Sequence, residues 1–174
     1  MFYFRSKNSA KLLFPKSIHS LVFCLIIFLN QNVFAYTDKE MDEVLGVADS
    51  MFKAMKKDNL SAIWPSLTEK SKSTIISDVV KEQKKLNGDY TTERIKDDFE
   101  KRGPIYMVYW RLFLVYFNPD TVLNESKWEV GYIEKDRSEI LITHAKSDTP
   151  ARLKMFKEEG NWKVGLVETF WTRK

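Results

Sequence analysis

Residues 127–170 read KWEVGYIEKDRSEILITHAKSDTPARLKMFKEEGNWKVGLVETF, and this stretch decides the fold class. Apolar and polar residues alternate along it, which is typical of strands that bury one face. Turn residues at 135–137, 147–150 and 159–160 interrupt the alternation, so the stretch predicts an antiparallel meander of about four strands. The inward face of the predicted sheet contains Trp128, Val130, Tyr132, Ile140, Ile142, His144, Leu153, Met155, Trp162, Val164, Leu166, Glu168 and Phe170.

The residues that precede the sheet have helical spacing instead. Thr37 and Glu40 have the spacing of a capping box and predict the start of a long amphipathic helix. Ser66 and Glu69 repeat that spacing and predict the start of a second helix, and residues 92–102 predict a third. Helices followed by an antiparallel sheet define an α+β domain. We therefore expect N-terminal helices packed on a curved antiparallel sheet.

Residues 105–117 read IYMVYWRLFLVYF, with Arg111 as the only charge. The length and the flanking prolines favour a helix, although the aromatic and β-branched content would also suit a strand. As a helix, the segment has two apolar stripes. One stripe contains Tyr106, Tyr109, Trp110, Phe113 and Phe117, and the other contains Val108, Leu112 and Val115. A second apolar face could contact a second copy of the chain, so a homodimer is one hypothesis.

The first 35 residues have the pattern of a secretory signal peptide. Four basic residues precede an apolar run, Leu21–Leu29, that is too short for the roughly 20 residues of a membrane-spanning helix. Val33-Phe34-Ala35 resembles a signal peptidase site. We expect cleavage after Ala35, a single domain over 36–174, and a periplasmic or secreted protein without a stable membrane anchor.

Removal of this leader changes which function classes remain. The net charge of +4 falls to zero, because the four basic residues of the leader are lost from 28 and all 24 acidic residues stay. A neutral domain gives no support to nucleic-acid binding. The only cysteine, Cys24, lies in the leader, so the mature chain has neither a disulfide nor a thiolate ligand. With one remaining histidine and no glycine-rich phosphate loop, we expect neither a metal nor a cofactor.

Three stretches resemble the nuclear transport factor 2-like superfamily, and together they cover most of residues 37–171. They are MFKAMKKDNLSAIWPSLTEKSK (51–72), SKWEVGYIEKDRSEILI (126–142) and RLKMFKEEGNWKVGLVETFW (152–171). The resemblance implies a cone-shaped α+β fold with a pocket between the helices and the sheet. Catalytic members of this group place a carboxylate, and often a histidine or tyrosine, in that cone. Other members are carriers or interaction modules, so the fold does not define the function.

Three hypotheses follow for the site. The first is a non-enzymatic domain that binds a small apolar ligand or a protein partner in or beside the pocket. The second is a small isomerase or lyase with His144 and Glu168 as an acid–base pair, each tuning the pKa of the other. The third is an assembly subunit that dimerises through residues 105–117. The residues expected to line the pocket are Tyr106, Tyr109, Trp110, Trp128, Tyr132 and His144.

Overall fold

The computed structural model describes residues 37–171, so the predicted signal peptide and its cleavage site lie outside the described residues. The described chain is an α+β domain, as the sequence predicts. The helices before the sheet are α1 (Asp38–Lys56), α2 (Glu69–Lys85), α3 (Thr92–Lys101), α4 (Pro104–Tyr116) and α5 (Pro119–Leu123). The strands are β1 (Ser126–Ile133), β2 (Arg137–His144), β3 (Ala151–Glu158) and β4 (Asn161–Gly165), and the short helix α6 (Leu166–Phe170) follows them.

The four strands form an antiparallel meander in the order β1-β2-β3-β4. Its register places Val130, Ile140 and Leu153 side by side on one face, and Ile140 and Leu153 are fully buried there. The opposite face is polar, with an ion pair of 2.7 Å between Arg152 and Glu139. Helix α1 contacts β1 and β4 and so covers the apolar face. The predicted alternation therefore marks a sheet that buries one side only. Its phase changes in β1, where a bulge after Val130 pairs Tyr132 with Glu139 on the polar side, so the predicted inward position of Tyr132 is wrong.

Local capping signals fix the starts of the first two helices. The capping box of Thr37 and Glu40 is present at α1, and the hydrogen bonds from Thr37 lower the pKa of the Glu40 carboxyl. Helix α2 begins later than predicted, because its N-cap is Thr68, whose hydroxyl accepts from the backbone N–H of Ser71. Ser66 belongs instead to a 3₁₀ turn, Trp64–Ser66, so the predicted capping box of Ser66 with Glu69 is wrong.

The segment 105–117 is a helix, as favoured, although it lacks a side-chain cap of its own. The carboxylate of Asp98 on α3 accepts from the backbone N–H of Tyr106 at 2.8 Å and of Ile105 at 3.3 Å. A Cβ at Gly103 would lie 2.3 Å from an oxygen of Asp98, so only glycine lets this carboxylate reach the helix start. The α3–α4 corner is thus fixed by one charged cap.

The last predicted strand is shorter than the sequence indicates. Strand β4 ends at Gly165, and Leu166–Phe170 forms α6, so the expectation of one strand face from Trp162 to Phe170 is wrong. A Cβ at Gly165 would lie 2.7 Å from the ring of Phe156, which shows how closely the chain approaches β3 before it turns. None of the helices in residues 37–171 combines the length and the hydropathy that a membrane span requires.

Candidate functional site

Two of the residues predicted to line a pocket are fully buried core residues. Tyr106 and Trp110 have no exposed surface, and their rings lie 6.3 Å apart. Trp64 and Phe99 pack against Tyr106 at 6.1 and 5.5 Å between ring centroids. These edge-to-face contacts fill the space between helices α3 and α4 and the 3₁₀ turn. Tyr106 and Trp110 therefore occupy the interior and do not line an open pocket.

The hydroxyl of Tyr106 is buried and donates to the backbone carbonyl of Leu60. Burial raises the pKa of Tyr106 to about 12, because the phenolate would lose its hydration. The raised pKa means that the neutral phenol stabilises the fold below about pH 10, and that this contribution is lost as the pH rises toward 12.

We expect Tyr106→Phe to have a flatter stability profile than the parent between pH 10 and pH 12. At pH 7 the variant loses one buried hydrogen bond, which costs about 1 kcal/mol. Urea unfolding across this pH range measures both effects. Tyr90→Phe is the control, because Tyr90 is 37% exposed. Parallel profiles for the parent and Tyr106→Phe would contradict the assignment.

The other aromatic residues predicted for the pocket are half-buried and have structural contacts. Tyr109 packs on Phe99 and Trp110 at 5.6 and 5.3 Å, and burial together with the charge of Asp78 raises its pKa. The indole N–H of Trp128 donates to the carbonyl of Val122 at 2.8 Å. The backbone carbonyl of Tyr132 accepts from the Ser138 hydroxyl at 2.7 Å. These residues support helices and strands and do not converge on one cavity.

His144 lies at the end of β2, on the face that it shares with Ile142, as the spacing predicts. Its partner is Glu125, with 3.1 Å between Nε2 and Oε2, and its Nδ1 accepts from the backbone N–H of Lys146. The tautomer that satisfies both contacts carries its proton on Nε2. The side chain of His144 is 29% exposed, beside a shallow groove of about 370 Å³. The histidine therefore belongs to the rim of the sheet.

Glu168 is 6% exposed and has a different set of partners. Its carboxylate accepts from the hydroxyls of Thr68 at 2.8 Å and Ser71 at 2.6 Å. The Ser71 hydroxyl also accepts from the backbone N–H of Val167 at 3.1 Å. This hydroxyl–carboxylate cluster joins the start of α2 to α6. The structure does not bring Glu168 and His144 together, and both oxygens of Glu168 are already occupied.

Helix α4 exposes the second of its two apolar stripes. We call Val108, Leu112, Val115 and Tyr116 the α4 face; they are 55%, 58%, 72% and 91% exposed. The first stripe packs into the core, so the helix is apolar on its buried side and also on its solvent side. Contiguous exposed apolar patches of several hundred Å² on soluble proteins mark interaction sites. The α4 face is therefore the strongest interaction signal among the described residues.

A surface groove lined by aromatic residues continues the α4 face at its C-terminal end. This aromatic groove has a volume of about 530 Å³. Its lining residues are Phe113, Tyr116, Phe117, Phe170 and Trp171. Phe170 and Trp171 are 42% and 41% exposed and come from the end of α6, more than fifty residues after α4. None of these five residues is among those that the sequence predicts for the pocket, although the size of Tyr116 and its position beside an apolar stripe were a usable signal.

A third open groove, of about 700 Å³, lies between α1 and the β3–β4 hairpin. Its walls are mixed: Asp42 and Glu43 stand on α1, whereas Lys163 is held by a 2.7 Å hydrogen bond to the carbonyl of Pro65. Trp162 lies beneath it, and its buried indole N–H has no acceptor among the described residues. No group of three or more metal-ligating side chains occurs in residues 37–171.

Comparisons with protein-family models, with curated proteins and with solved structures each find no match. The described domain has an exposed apolar helix face with a groove beside it, whereas the candidate acid–base residues His144 and Glu168 have separate partners.

Proposed function

We propose that this protein is an exported, non-enzymatic interaction domain with a nuclear transport factor 2-like fold, which binds a protein partner through the α4 face. The observation that carries the proposal is the exposure of four large apolar side chains on one helix, between 55% and 91%. Water contact with this much apolar surface is unfavourable by about 25 cal/mol for each Å². A partner that covers the face recovers that free energy.

The environment of the α4 face supports a protein partner. The helix is anchored from behind by Trp110 and at its start by Asp98, so the face is presented on a rigid element. A rigid apolar helix loses little conformational entropy on binding, which favours a stable interface. Helix-to-groove and helix-to-helix docking both use side chains at this i, i+3, i+4 spacing.

The aromatic groove supports a second candidate function, the binding of a small apolar ligand. Its volume of about 530 Å³ falls within the range of small-molecule sites, about 300–1,000 Å³. Five aromatic side chains line it, which suits an apolar or ring-containing ligand. The aromatic groove is open to solvent, whereas pockets for small molecules usually bury most of the ligand. A protein partner is therefore favoured over a small ligand.

Site-specific photocrosslinking tests the protein-binding proposal. We expect a benzoylphenylalanine at position 112, irradiated in the exporting host, to give a protein adduct of defined mass. Position 86 is the control, because Leu86 is 81% exposed just after the end of α2, away from the α4 face, and should give none. Val115→Asp in the same chain should abolish the adduct at 112. If position 112 gives no protein adduct, the proposal of a protein partner is wrong, and the binding of a small apolar ligand in the aromatic groove becomes the favoured function.

A further inference from the structure

We infer that the partner on the α4 face is a second copy of this chain, which binds by antiparallel pairing of two α4 helices about a two-fold axis near Leu112. This inference rests on the proposed function, because it names the occupant of the same surface. It is carried by the spacing of the exposed residues, the charge of the helix and the size of the patch.

The spacing of the exposed side chains is that of a helix–helix seam. Val108, Leu112 and Val115 follow one another at intervals of four and three residues. This is the a/d spacing of a heptad, in which each side chain enters a hole formed by the facing helix. The surface that best complements such a seam is another seam of the same spacing. Every copy of this chain supplies one.

The charge of α4 does not select a charged partner. The helix has no acidic residue, and Arg111 is its only basic one. A peptide or protein with a strongly charged surface would thus lose hydration on the α4 face without gaining an ion pair there. A neutral apolar surface avoids this cost, and a second α4 face is such a surface. Two-fold dimers of this kind are the commonest oligomers of soluble proteins.

The exposed area of the α4 face, taken together with Phe170 and Trp171 of the aromatic groove, is compatible with a small dimer interface. Tyr116, Phe170 and Trp171 together expose on the order of 350 Å², given about 150–250 Å² for a whole aromatic side chain. Val108, Leu112 and Val115 are each more than half exposed and add to this. A standard interface buries about 800 Å² on each partner, of which about two thirds is apolar in homodimers. The patch is therefore large enough to form the apolar centre of such an interface.

The distribution of side chains along α4 favours the antiparallel arrangement. Tyr116 projects at the C-terminal end, whereas Val108 and the half-buried Ile105 occupy the N-terminal half. Antiparallel pairing places the large Tyr116 of each copy over the smaller Val108 of the other. It also sets the helix dipoles in opposite directions, which is the more favourable alignment.

Sedimentation equilibrium of the full chain, expressed with its own leader, tests whether the partner on the α4 face is a second copy of the chain. All variants include Cys24→Ser, so that no native thiol remains. We expect a concentration-dependent dimer whose dissociation constant rises about 100-fold in Leu112→Asp, as for a central interface residue. Leu86→Asp is the matched control and should leave the dimer unchanged. Circular dichroism and unfolding of each variant show whether the monomer remains folded.

Cysteine crosslinking tests the direction of pairing. A disulfide requires Cα atoms within about 4.4–6.8 Å. In the antiparallel dimer, Leu112→Cys should crosslink to itself under mild oxidation. Val108→Cys should crosslink to Val115→Cys in a mixture, and neither should crosslink alone. Homodimeric disulfides of Val108→Cys alone would overturn the antiparallel arrangement.

The outcomes separate this inference from the proposed function. The inference that a second copy binds the α4 face is overturned by either of two results. One is a protein that stays monomeric up to millimolar concentration, and the other is a Leu112→Asp variant that dimerises like the parent. If position 112 then crosslinks to a different protein, the interaction function stands with another partner. If the chain is monomeric and position 112 gives no adduct, both proposals fail.

Discussion

Replacement of Trp110 by alanine is expected to lower the free energy of unfolding by about 3–5 kcal/mol, the range for large aromatic side chains in cores. Trp110 has no exposed surface and contacts Tyr106, Tyr109 and Phe113 at ring-centroid distances of 6.3, 5.3 and 5.3 Å. Its removal leaves a cavity that three rigid rings cannot fill by small movements. Urea unfolding monitored by circular dichroism measures the loss.

Two further variants make this prediction specific to the buried ring. Trp110→Phe retains an aromatic ring and removes an indole N–H that has no acceptor among the described residues, so its cost should be well below that of alanine. Arg111→Ala alters the neighbouring exposed position of the same helix and should stay within about 0.5 kcal/mol of the parent. Equal losses for Trp110→Ala and Arg111→Ala would show that burial of the ring does not govern stability at this site, because alanine is the better helix former in both cases.

Replacement of Glu168 by alanine is expected to lower the free energy of unfolding by about 3 kcal/mol, because hydrogen bonds to a charged group contribute roughly 1.5–3 kcal/mol each. The carboxylate is 6% exposed and accepts from the hydroxyls of both Thr68 and Ser71. Without it, two buried donors at the start of α2 lose their acceptor. Thermal and urea unfolding of the purified variant measure the effect.

The controls for Glu168 distinguish a buried cluster from a general loss of charge. Glu168→Gln keeps the volume and one acceptor oxygen, so we expect about half of the loss caused by alanine. Glu129→Ala removes an exposed carboxylate from β1 and should have little effect. A double-mutant cycle of Ser71→Ala with Glu168→Gln should show coupling, because the two side chains share one hydrogen bond. Strictly additive losses would argue against the cluster.

Local patterns identified the elements whose causes are local. The alternation from Lys127 onward predicted the meander, and the Thr37–Glu40 spacing predicted the start of α1, because both signals depend on residues a few positions apart. The same kind of signal failed at Ser66, where Thr68 caps α2 instead. Two hydroxyl residues two positions apart are available for one helix start, and the one that caps α2 also donates its hydroxyl to Glu168, which lies 100 residues away.

The candidate site was harder to predict than the elements that carry it. His144 was correctly placed on the inward face of β2, yet its partner is Glu125 and not Glu168. Tyr106 and Trp110 were expected in a pocket but are fully buried, because α3 and the 3₁₀ turn at Trp64 close over them. Amphipathic spacing shows that a side chain faces inward, but it does not show whether an open space is there.

The sequence by itself determined that helices precede an antiparallel meander, and that residues 105–117 have two apolar stripes if they are helical, since these follow from composition and from periodicities of two and about 3.6 residues. It left the same segment open to a strand, and it indicated neither α5 nor α6. Only the tertiary structure decided which stripe is buried and which one forms the α4 face. It also decided that Glu168 joins Thr68 across 100 residues of sequence. Such contacts depend on how whole elements pack, and a local sequence window contains no information about its distant neighbours.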